Sequence, residues 1–239
     1  MSNEYTLIQD IDFSRYARFL GTAHFTETSS KDVLGAVRDL KPTALCLELD
    51  GRRYKRLRNR CIYCPRRDSC LQKCEFVQAT DVLGNQDADI WLIDMTDQEI
   101  KNRIRYYVTP FEVRSWSQIL RQVATGQFYG VRLWEGGLKD EAMEYFKGNL
   151  ELMKQRFPSL HHVLITERNA LMACRLILIV AHYLEKYPDK TPNILILTGA
   201  AHVDGIKELM KEPRKAFALL RELEIRLTPA TRIRRIRAQ

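Results

Sequence analysis

The chain has 239 residues, of which 45% are hydrophobic and 28% charged, and its formal net charge is +8. This composition is that of a globular protein with a sizeable core, and it predicts one domain over residues 1–239. The polar first residues predict no secretory signal, and the longest apolar stretch, which starts at Leu176, is too short to cross a bilayer. We therefore expect a soluble cytoplasmic protein with no membrane span and with reduced thiols.

The positive charge lies in two short segments. Residues 51–74 contain nine Lys or Arg residues against a single Asp, and the tail that starts at Arg226 contains five arginines. Such clusters bind nucleic acid, anionic lipid or acidic protein, although a solvated surface with a frayed tail is the simpler interpretation. We treat residues 58–76 as a cysteine-rich insertion and residues 226–239 as a basic C-terminal tail.

Apolar runs and capping residues predict the first four elements. The run "RYARFLGTAH" predicts a strand that ends at His24, and a helix capped by Ser29 with Asp32 follows it. The run "TALCLEL" predicts a buried strand, after which Asp50 caps a basic helix. This order of strand, helix, strand and helix is typical of a largely parallel sheet.

The rest of the chain continues the same pattern. "ADIWLIDMT" predicts a strand, with Thr96 or Asp97 as the cap of the next helix. From Phe111 to about Lys186 the chain is mainly helical, and its glycines predict turns at Gly126, Gly130, Gly136 and Gly137. "NILILTGAAH" predicts a late strand, "VDGIKELMKE" a helix and "FALLRELEIRLTP" a final edge strand. The expected fold is α/β, with a mainly parallel or mixed central sheet flanked by helices and a four-cysteine metal-binding insertion.

Two predicted strand ends share the pattern Gly-x-x-His, and these end at His24 and His202. Ligands of open α/β sheets bind at the carboxyl ends of the strands, so both imidazoles face one point if the two strands are neighbours. Glu48 stands near a third strand end, and a carboxylate inside an apolar run needs a charged or metal partner. Two histidines and a carboxylate are common ligands of a catalytic Zn, Mn, Fe or Co ion. A core role for each histidine is the competing interpretation.

A second charged cluster lies in "LITERNALMA". Glu167 and Arg168 are either charges at a helix start or neighbours of the metal site, where they would support a ligand or clamp an oxyanion. Arg53, in the helix after Glu48, is a candidate for the same role.

Five separated motifs resemble the TraB/PrgY family, which is related to GumN and to the TIKI metal-dependent proteases. They are "GTAHF", "ALCLELDGRRYKRL", "ADIWLIDMTDQEI", "ERNALMA" and "TGAAHVDGI", in this order. The resemblance covers the chain from Phe19 to about Leu57 and from about Ala88 to Glu208. It implies a fold of the ChaN/erythromycin-esterase type and a metal-dependent hydrolase or protease that acts on a peptide or small molecule.

The resemblance also implies a set of site residues, which are His24, Glu48, Arg53, Glu167, Arg168 and His202. The two histidines and Glu48 would hold a Mn, Co or Zn ion, Glu167 would take the proton of a metal-bound water, and an arginine would stabilise the oxyanion. The chain departs from the family at two positions. Met95, after Asp94, stands where relatives have Arg, and Thr166 stands where they have Asp.

The segment "CIYCPRRDSCLQKC" brings four cysteines together, which are Cys61, Cys64, Cys70 and Cys74. Four thiols this close in a reducing compartment predict a metal site, either structural zinc or a [4Fe–4S] cluster, with zinc favoured. The spacing is similar to the cysteine cluster of AddB-type recombination nucleases. Cys46 and Cys174 lie in apolar runs and are expected in the core.

The sequence therefore supports two functions. The first is a metal-dependent hydrolase of the TraB type with a separate four-cysteine metal loop. The alternative is a module without catalysis, either a peptide-binding regulator or a nucleic-acid-binding protein that uses Arg58, Arg60, Arg66 and Arg67. The helical middle, residues 111–160, is a candidate lid or homodimer face.

Overall fold

The computed structural model describes residues 11–24, 26–62, 74–83, 88–124, 129–189 and 191–233. Within these ranges the strands are β1 (Ala17–Thr22), β2 (Ala44–Leu47), β3 (Asp89–Leu92), β4 (Ile194–Gly199) and β5 (Thr231–Ile233). The helices are α1 (Glu27–Leu40), α2 (Gly51–Ile62), α3 (Glu75–Val82), α4 (Asp97–Tyr107), α5 (Pro110–Ala124), α6 (Tyr129–Glu135), α7 (Lys139–Arg156), α8 (Pro158–His161), α9 (Arg168–Lys186), α10 (Ala200–Lys211) and α11 (Pro213–Glu222). A 3₁₀ helix, Phe13–Tyr16, precedes β1, and a π-helix, His162–Glu167, runs into α9.

The five described strands form one mixed sheet in the order β1-β4-β2-β3-β5. The first four of these are parallel, and β5 is antiparallel to β3. The α/β fold with a mixed sheet flanked by helices, predicted from the sequence, is confirmed. Every residue of β4 is buried, because strands pair with both of its edges and helices cover both of its faces. This position explains why its sequence is a nearly continuous apolar run.

Alternate residues of each strand point to opposite faces of the sheet, and each face packs against its own helices. On one face, Cys46 and Ile196 belong to a core that includes α9, α10 and α11. On the other face, Leu45 and Leu197 belong to a core that includes α1, α2 and α3. Cys46 is fully buried in the first core together with Cys174, as the sequence predicts for both.

A crevice lies at the carboxyl edge of the sheet, on either side of β4. The helices that follow β1 and β2 cover one face, whereas α10, which follows β4, covers the other. Connections that leave neighbouring strands toward opposite faces create a crevice at this edge, where open α/β sheets bind ligands. The residues directly after β1, β2 and β4 therefore border one crevice.

Local sequence explains where the helices begin. The Thr26 hydroxyl accepts a hydrogen bond from the Ser29 amide, so Thr26 caps α1, and the prediction of Ser29 as the cap is wrong. Asp50 caps α2 through the Arg52 amide (2.7 Å), as predicted. Thr96 caps α4 within a complete capping box.

The segment "FALLRELEIRLTP" does not form the predicted edge strand. Its first six residues lie in α11, where Ala216 and Leu220 repeat at helical spacing and pack into the core of α9, and the other residues belong to no helix or strand. The edge strand of the sheet is β5, further along the chain. His202 also differs from the prediction, since it lies in the first turn of α10 and not at the end of the strand itself.

The helical middle between Phe111 and Lys186 is confirmed over the described residues. Gly137, with a φ of +83°, belongs to the predicted turn before α7. Gly130 lies within α6 and not in a turn, and Gly126 lies outside the described residues. None of the described helices combines the length and the apolar character needed to cross a bilayer.

Candidate functional site

Residues from three strand ends meet in the crevice beside β4. His24 follows β1, Glu48 follows β2, and Gly199 ends β4 directly opposite Thr22 of β1. The Gly199 amide donates to Glu48 Oε2 (2.7 Å). A Cβ atom on Gly199 would lie 2.9 Å from His24 Nε2 and 3.5 Å from Glu48 Oε2. The absence of a side chain at Gly199 therefore allows the imidazole to lie directly against the backbone beside the carboxylate.

His24 is held by a carboxylate that sequence reasoning missed. Its Nδ1 lies 2.7 Å from Oε1 of Glu75, a fully buried residue at the start of α3. The Thr22 hydroxyl donates to the same oxygen (3.3 Å). Burial by itself would lower the pKa of His24, but the Glu75 hydrogen bond and the charge of Glu48 raise it above its ordinary value. With Nδ1 at Glu75, Nε2 is the nitrogen that faces Gly199.

The pKa of His202 is shifted in the opposite direction to that of His24. Nδ1 of His202 lies 2.6 Å from Asn169 Oδ1, and its Nε2 lies 3.4 Å from Glu48 Oε1. Burial lowers the pKa of His202 to about 4, and the Arg168 charge acts in the same direction. The ring is therefore neutral at pH 7 and carries one N–H. When Nδ1–H donates to Asn169, Nε2 keeps its lone pair beside Glu48.

A buried network of charges supports Glu48 from behind. Arg168 donates to Glu48 and, through two nitrogens, to Asp94 (3.0 and 2.7 Å). Arg53 donates to Asp94 (2.7 Å) and also to Asp50. Burial by itself would raise the pKa of both Glu48 and Asp94, but the positive charges around them, Arg168 among them, hold both values below the usual range. Each buried carboxylate is therefore charged at neutral pH and has the cationic partner that burial requires.

Glu167 has different partners. Its fully buried carboxylate accepts hydrogen bonds from Arg103 (2.6 to 3.0 Å) and lies 3.2 Å from His162 Nε2. Successive helical residues point about 100° apart, so Glu167 and Arg168 do not face the same side. None of the described Glu167 contacts reaches Glu48 or either Gly-x-x-His histidine. Of the six predicted site residues, the structure connects five in one cluster: His24, Glu48, Arg53, Arg168 and His202.

The first turn of α10 directs backbone donors toward the same crevice. Gly199 caps α10 without a side-chain hydrogen bond, and its own amide is bound to Glu48. The first amides of the helix, at Ala200 and Ala201, have no partner within the helix and carry the positive end of its dipole. A terminus of this kind stabilises negative charge on a bound group.

The described side chains include no group of three His, Cys, Asp or Glu residues placed to hold one metal ion. Both oxygens of Glu48 already accept hydrogen bonds, from Arg168 and from Gly199. The Arg168 cation also opposes a second cation at the same carboxylate. In this arrangement the predicted ligands, His24, Glu48 and His202, lie near one another but do not fit a metal ion.

Of the four cysteines predicted as metal ligands, only Cys74 has a described side chain. It is buried and directly precedes α3, so it adjoins Glu75, which binds His24. The other three side chains lie outside the described residues, and these are Cys61, Cys64 and Cys70. The four-cysteine metal site therefore stays a prediction.

No family model, curated protein or solved structure matches the chain. The resemblance to the TraB/PrgY family stays a prediction that rests on the five motifs.

Two residues of the site, Glu75 and Asn169, were not identified from the sequence. Glu75 stands alone between Cys74 and an apolar pair, and an acid in such a run was the available signal. Asn169 belongs to the "ERN" triplet that the sequence analysis had already selected. Its close approach to α10 depends on Gly205, because a Cβ at that position would lie 2.3 Å from Asn169 Nδ2.

Proposed function

We propose that the protein is a hydrolase of the TraB type, in which water cleaves a peptide or related acyl bond in the crevice beside β4. The observation that carries this proposal is the pair of histidines around Glu48, since the pKa of His24 is raised and that of His202 is lowered. Titratable groups with separated pKa values in one crevice are what acid–base catalysis requires. The motifs that resemble the TraB family suggest the reaction class.

His24 is the general base of this reaction. Its Nε2 lies against Gly199 at the crevice, and 37% of the His24 side chain is exposed, so water reaches the ring. Neutral His24 takes one proton from a water molecule, whose oxygen forms a bond with the carbonyl carbon of the substrate. Glu75 stabilises the resulting imidazolium, as the carboxylate behind a catalytic histidine does. The imidazolium returns the proton to the leaving group when the scissile bond breaks.

The negative charge on the carbonyl oxygen is stabilised by backbone amides in this proposal. Ala200 and Ala201 supply them at the positive end of α10, where the cap residue, Gly199, has no side chain to bind them. Preorganised amides serve this purpose because they do not reorient as the charge develops.

Arg53 and Arg168 act on the site through other groups. Their guanidinium nitrogens donate to carboxylates and backbone carbonyls, including the carbonyl oxygens of Met95 and Leu164. They keep the buried acids charged, and the charge of Glu48 in turn helps to raise the pKa of the general base. Their role is therefore positioning and electrostatic, in place of the oxyanion clamp expected from the sequence.

A divalent Mn, Co or Zn ion at the Gly-x-x-His site stays a prediction of the resemblance, and no step above depends on one. Metal analysis of the purified protein by mass spectrometry measures its content directly. The same measurement on a Cys61/Cys64 double variant tests the second predicted ion, zinc or a [4Fe–4S] cluster at the four cysteines. We include this metal loop and a cytoplasmic location in the proposal, because closely spaced thiols hold metals in a reducing compartment.

The decisive experiment compares hydrolysis of a peptide library by wild type, His24→Ala and His182→Ala. Each protein is stripped of metal and assayed alone and with added Mn, Co or Zn. His24→Ala is expected to reduce kcat/KM by at least about 100-fold, the usual effect of losing a general base. His182 is exposed and outside the crevice, so its substitution controls for general effects. Full activity in His24→Ala would overturn the assignment.

The second candidate is a nucleic-acid-binding module. It is favoured by the exposed basic surface of α2, whose outward residues include Lys55, Arg58 and Arg60. Phosphate contacts of this kind weaken steeply with salt. A gel shift with DNA and RNA at several salt concentrations tests it, and an absent or salt-insensitive shift counts against it.

A further inference from the structure

A cavity of about 330 Å³ opens at the carboxyl edge of the sheet, between the first turns of α2 and α4. α2 follows β2 and lies against one face of the sheet, whereas Ile100 of α4 packs with the core of the other face. The cavity is therefore a second crevice of the kind found beside β4. Its lining is almost entirely charged, and consists of Arg52, Arg56, Asp97, Gln98 and Lys101.

The charge of this cavity is positive. Asp97, its only acidic lining residue, is already paired with Arg56 (2.5 Å) and with Arg53 (3.3 Å), which lies behind the wall. Within the described part of the chain, no acidic side chain contacts the side chains of Arg52 or Lys101, and both are exposed. Two guanidinium groups and one ammonium group thus border the cavity, against a single carboxylate that is already paired with arginine.

The N-termini of α2 and α4 at the cavity do not account for its attraction to an anion. The Asp50 side chain accepts from the Arg52 and Arg53 amides of α2, and Thr96 caps α4. Both positive dipole ends are therefore already satisfied by acceptors of the chain. The attraction comes from the unpaired side chains, which present rotatable donors and full charges.

A short path of ion pairs joins this cavity to the crevice beside β4. Asp97 contacts Arg53, Arg53 contacts Asp94, and Asp94 contacts Arg168, which binds Glu48. Neighbouring strands lie about 5 Å apart, so the cavity at β2 and β3 is about 10 Å from Gly199 along the sheet edge. An extended peptide covers that distance with about three residues.

We propose that this cavity binds an oxyanion group of the substrate, a carboxylate or a phosphate, through Arg52, Arg56 and Lys101. The substrate class is then an acyl compound or peptide whose anionic group lies about three residues from the scissile bond. This assignment rests on the proposed hydrolase function for its meaning, but the binding itself is measurable without any reaction.

The test is an NMR titration of backbone amides with three probes at low ionic strength. The probes are inorganic phosphate, N-acetyl-trialanine with its free carboxylate, and the same tripeptide as its C-terminal amide. Wild type is expected to show saturable shifts in α2 and α4 with an anionic probe and none with the amide. An Arg52→Gln/Lys101→Gln variant should lose at least tenfold in affinity, since each charged contact accounts for about that factor.

A matched control removes two equivalent charges elsewhere, in Lys154→Gln/Arg156→Gln. Both side chains are exposed at the end of α7, outside the cavity lining, so this variant should bind like wild type. Preference for phosphate or for the carboxylate identifies which oxyanion the cavity selects. Equal affinity of Arg52→Gln/Lys101→Gln and wild type, or the absence of saturable shifts with either anion, overturns the proposal.

The two proposals fail separately. If the protein hydrolyses the substrate but shows no saturable anion binding, the anion site is refuted and the hydrolase proposal stands. If the protein binds the anion but hydrolyses nothing, the hydrolase proposal is refuted and the anion-binding cavity stands.

Discussion

Acid is expected to destabilise this protein through His202. The pKa of the buried ring is about 4 in the folded protein, against about 6.5 in an unfolded chain. Between these values the unfolded state binds a proton that the folded state does not. The stability that the neutral ring confers is therefore complete above pH 6.5 and is lost as the pH falls toward 4.

The size of the effect follows from the shift. One pKa unit corresponds to about 1.4 kcal/mol, so the full shift corresponds to at most about 3 kcal/mol. Between pH 7 and pH 5 about 2 kcal/mol of the free energy of unfolding is lost through this one ring. At pH 5 the nearby carboxyl of Glu48 stays charged, because its pKa lies below the ordinary value.

Urea denaturation at pH 7 and pH 5 measures this loss. His202→Gln is expected to lose about 2 kcal/mol less than wild type on acidification, although it is less stable at pH 7. Because each protein is compared with itself, the pH-independent cost of the substitution cancels. His182→Gln, which changes an exposed ring, should lose as much as wild type does. An equal loss in His202→Gln and wild type would refute the buried, neutral ring.

Two further predictions address the close approach of His24 to Gly199 and the carboxylate that binds His24. Gly199→Ala should reduce kcat/KM by about 100-fold, because its Cβ would displace the His24 ring, whereas Gly35→Ala, in open space within α1, should keep full activity. Activity of Gly199→Ala at the wild-type level would show that the position of the His24 ring against Gly199 is not needed for the reaction. Glu75→Gln should move the acidic limb of the kcat/KM profile to lower pH, because the Glu75 carboxylate raises the pKa of His24 in wild type and its loss lowers that pKa. If the acidic limb stays at the same pH in Glu75→Gln, a group other than His24 is responsible for it.

Much of the fold could be predicted from local pattern. The apolar runs at β2 and β4, and the caps Asp50 and Thr96, are short-range signals, and each element appears where these signals place it. The prediction of an edge strand at "FALLRELEIRLTP" is wrong because a short apolar run fits either period. Contact with α9 then favours the helix that buries Ala216 and Leu220.

The candidate site was only partly predictable, since some of its contacts join distant parts of the chain. His24 and Glu75 are 51 positions apart, and the sequence around neither residue indicates that the two are in contact. Glu167 and Arg168 looked like one group, yet the helix turns them toward different partners. Arg103 of α4 binds Glu167, and no short-range pattern indicates that contact.

The amino-acid sequence by itself determined which chemical groups stand at the strand ends, because strand and turn patterns are local properties of the chain. It could not determine that β4 lies between β1 and β2, since strand order depends on how all the helices pack. That order alone brings His24 and Glu48 together at Gly199. The tertiary structure likewise decided which histidine is protonated more easily, because burial and neighbouring charges set the pKa.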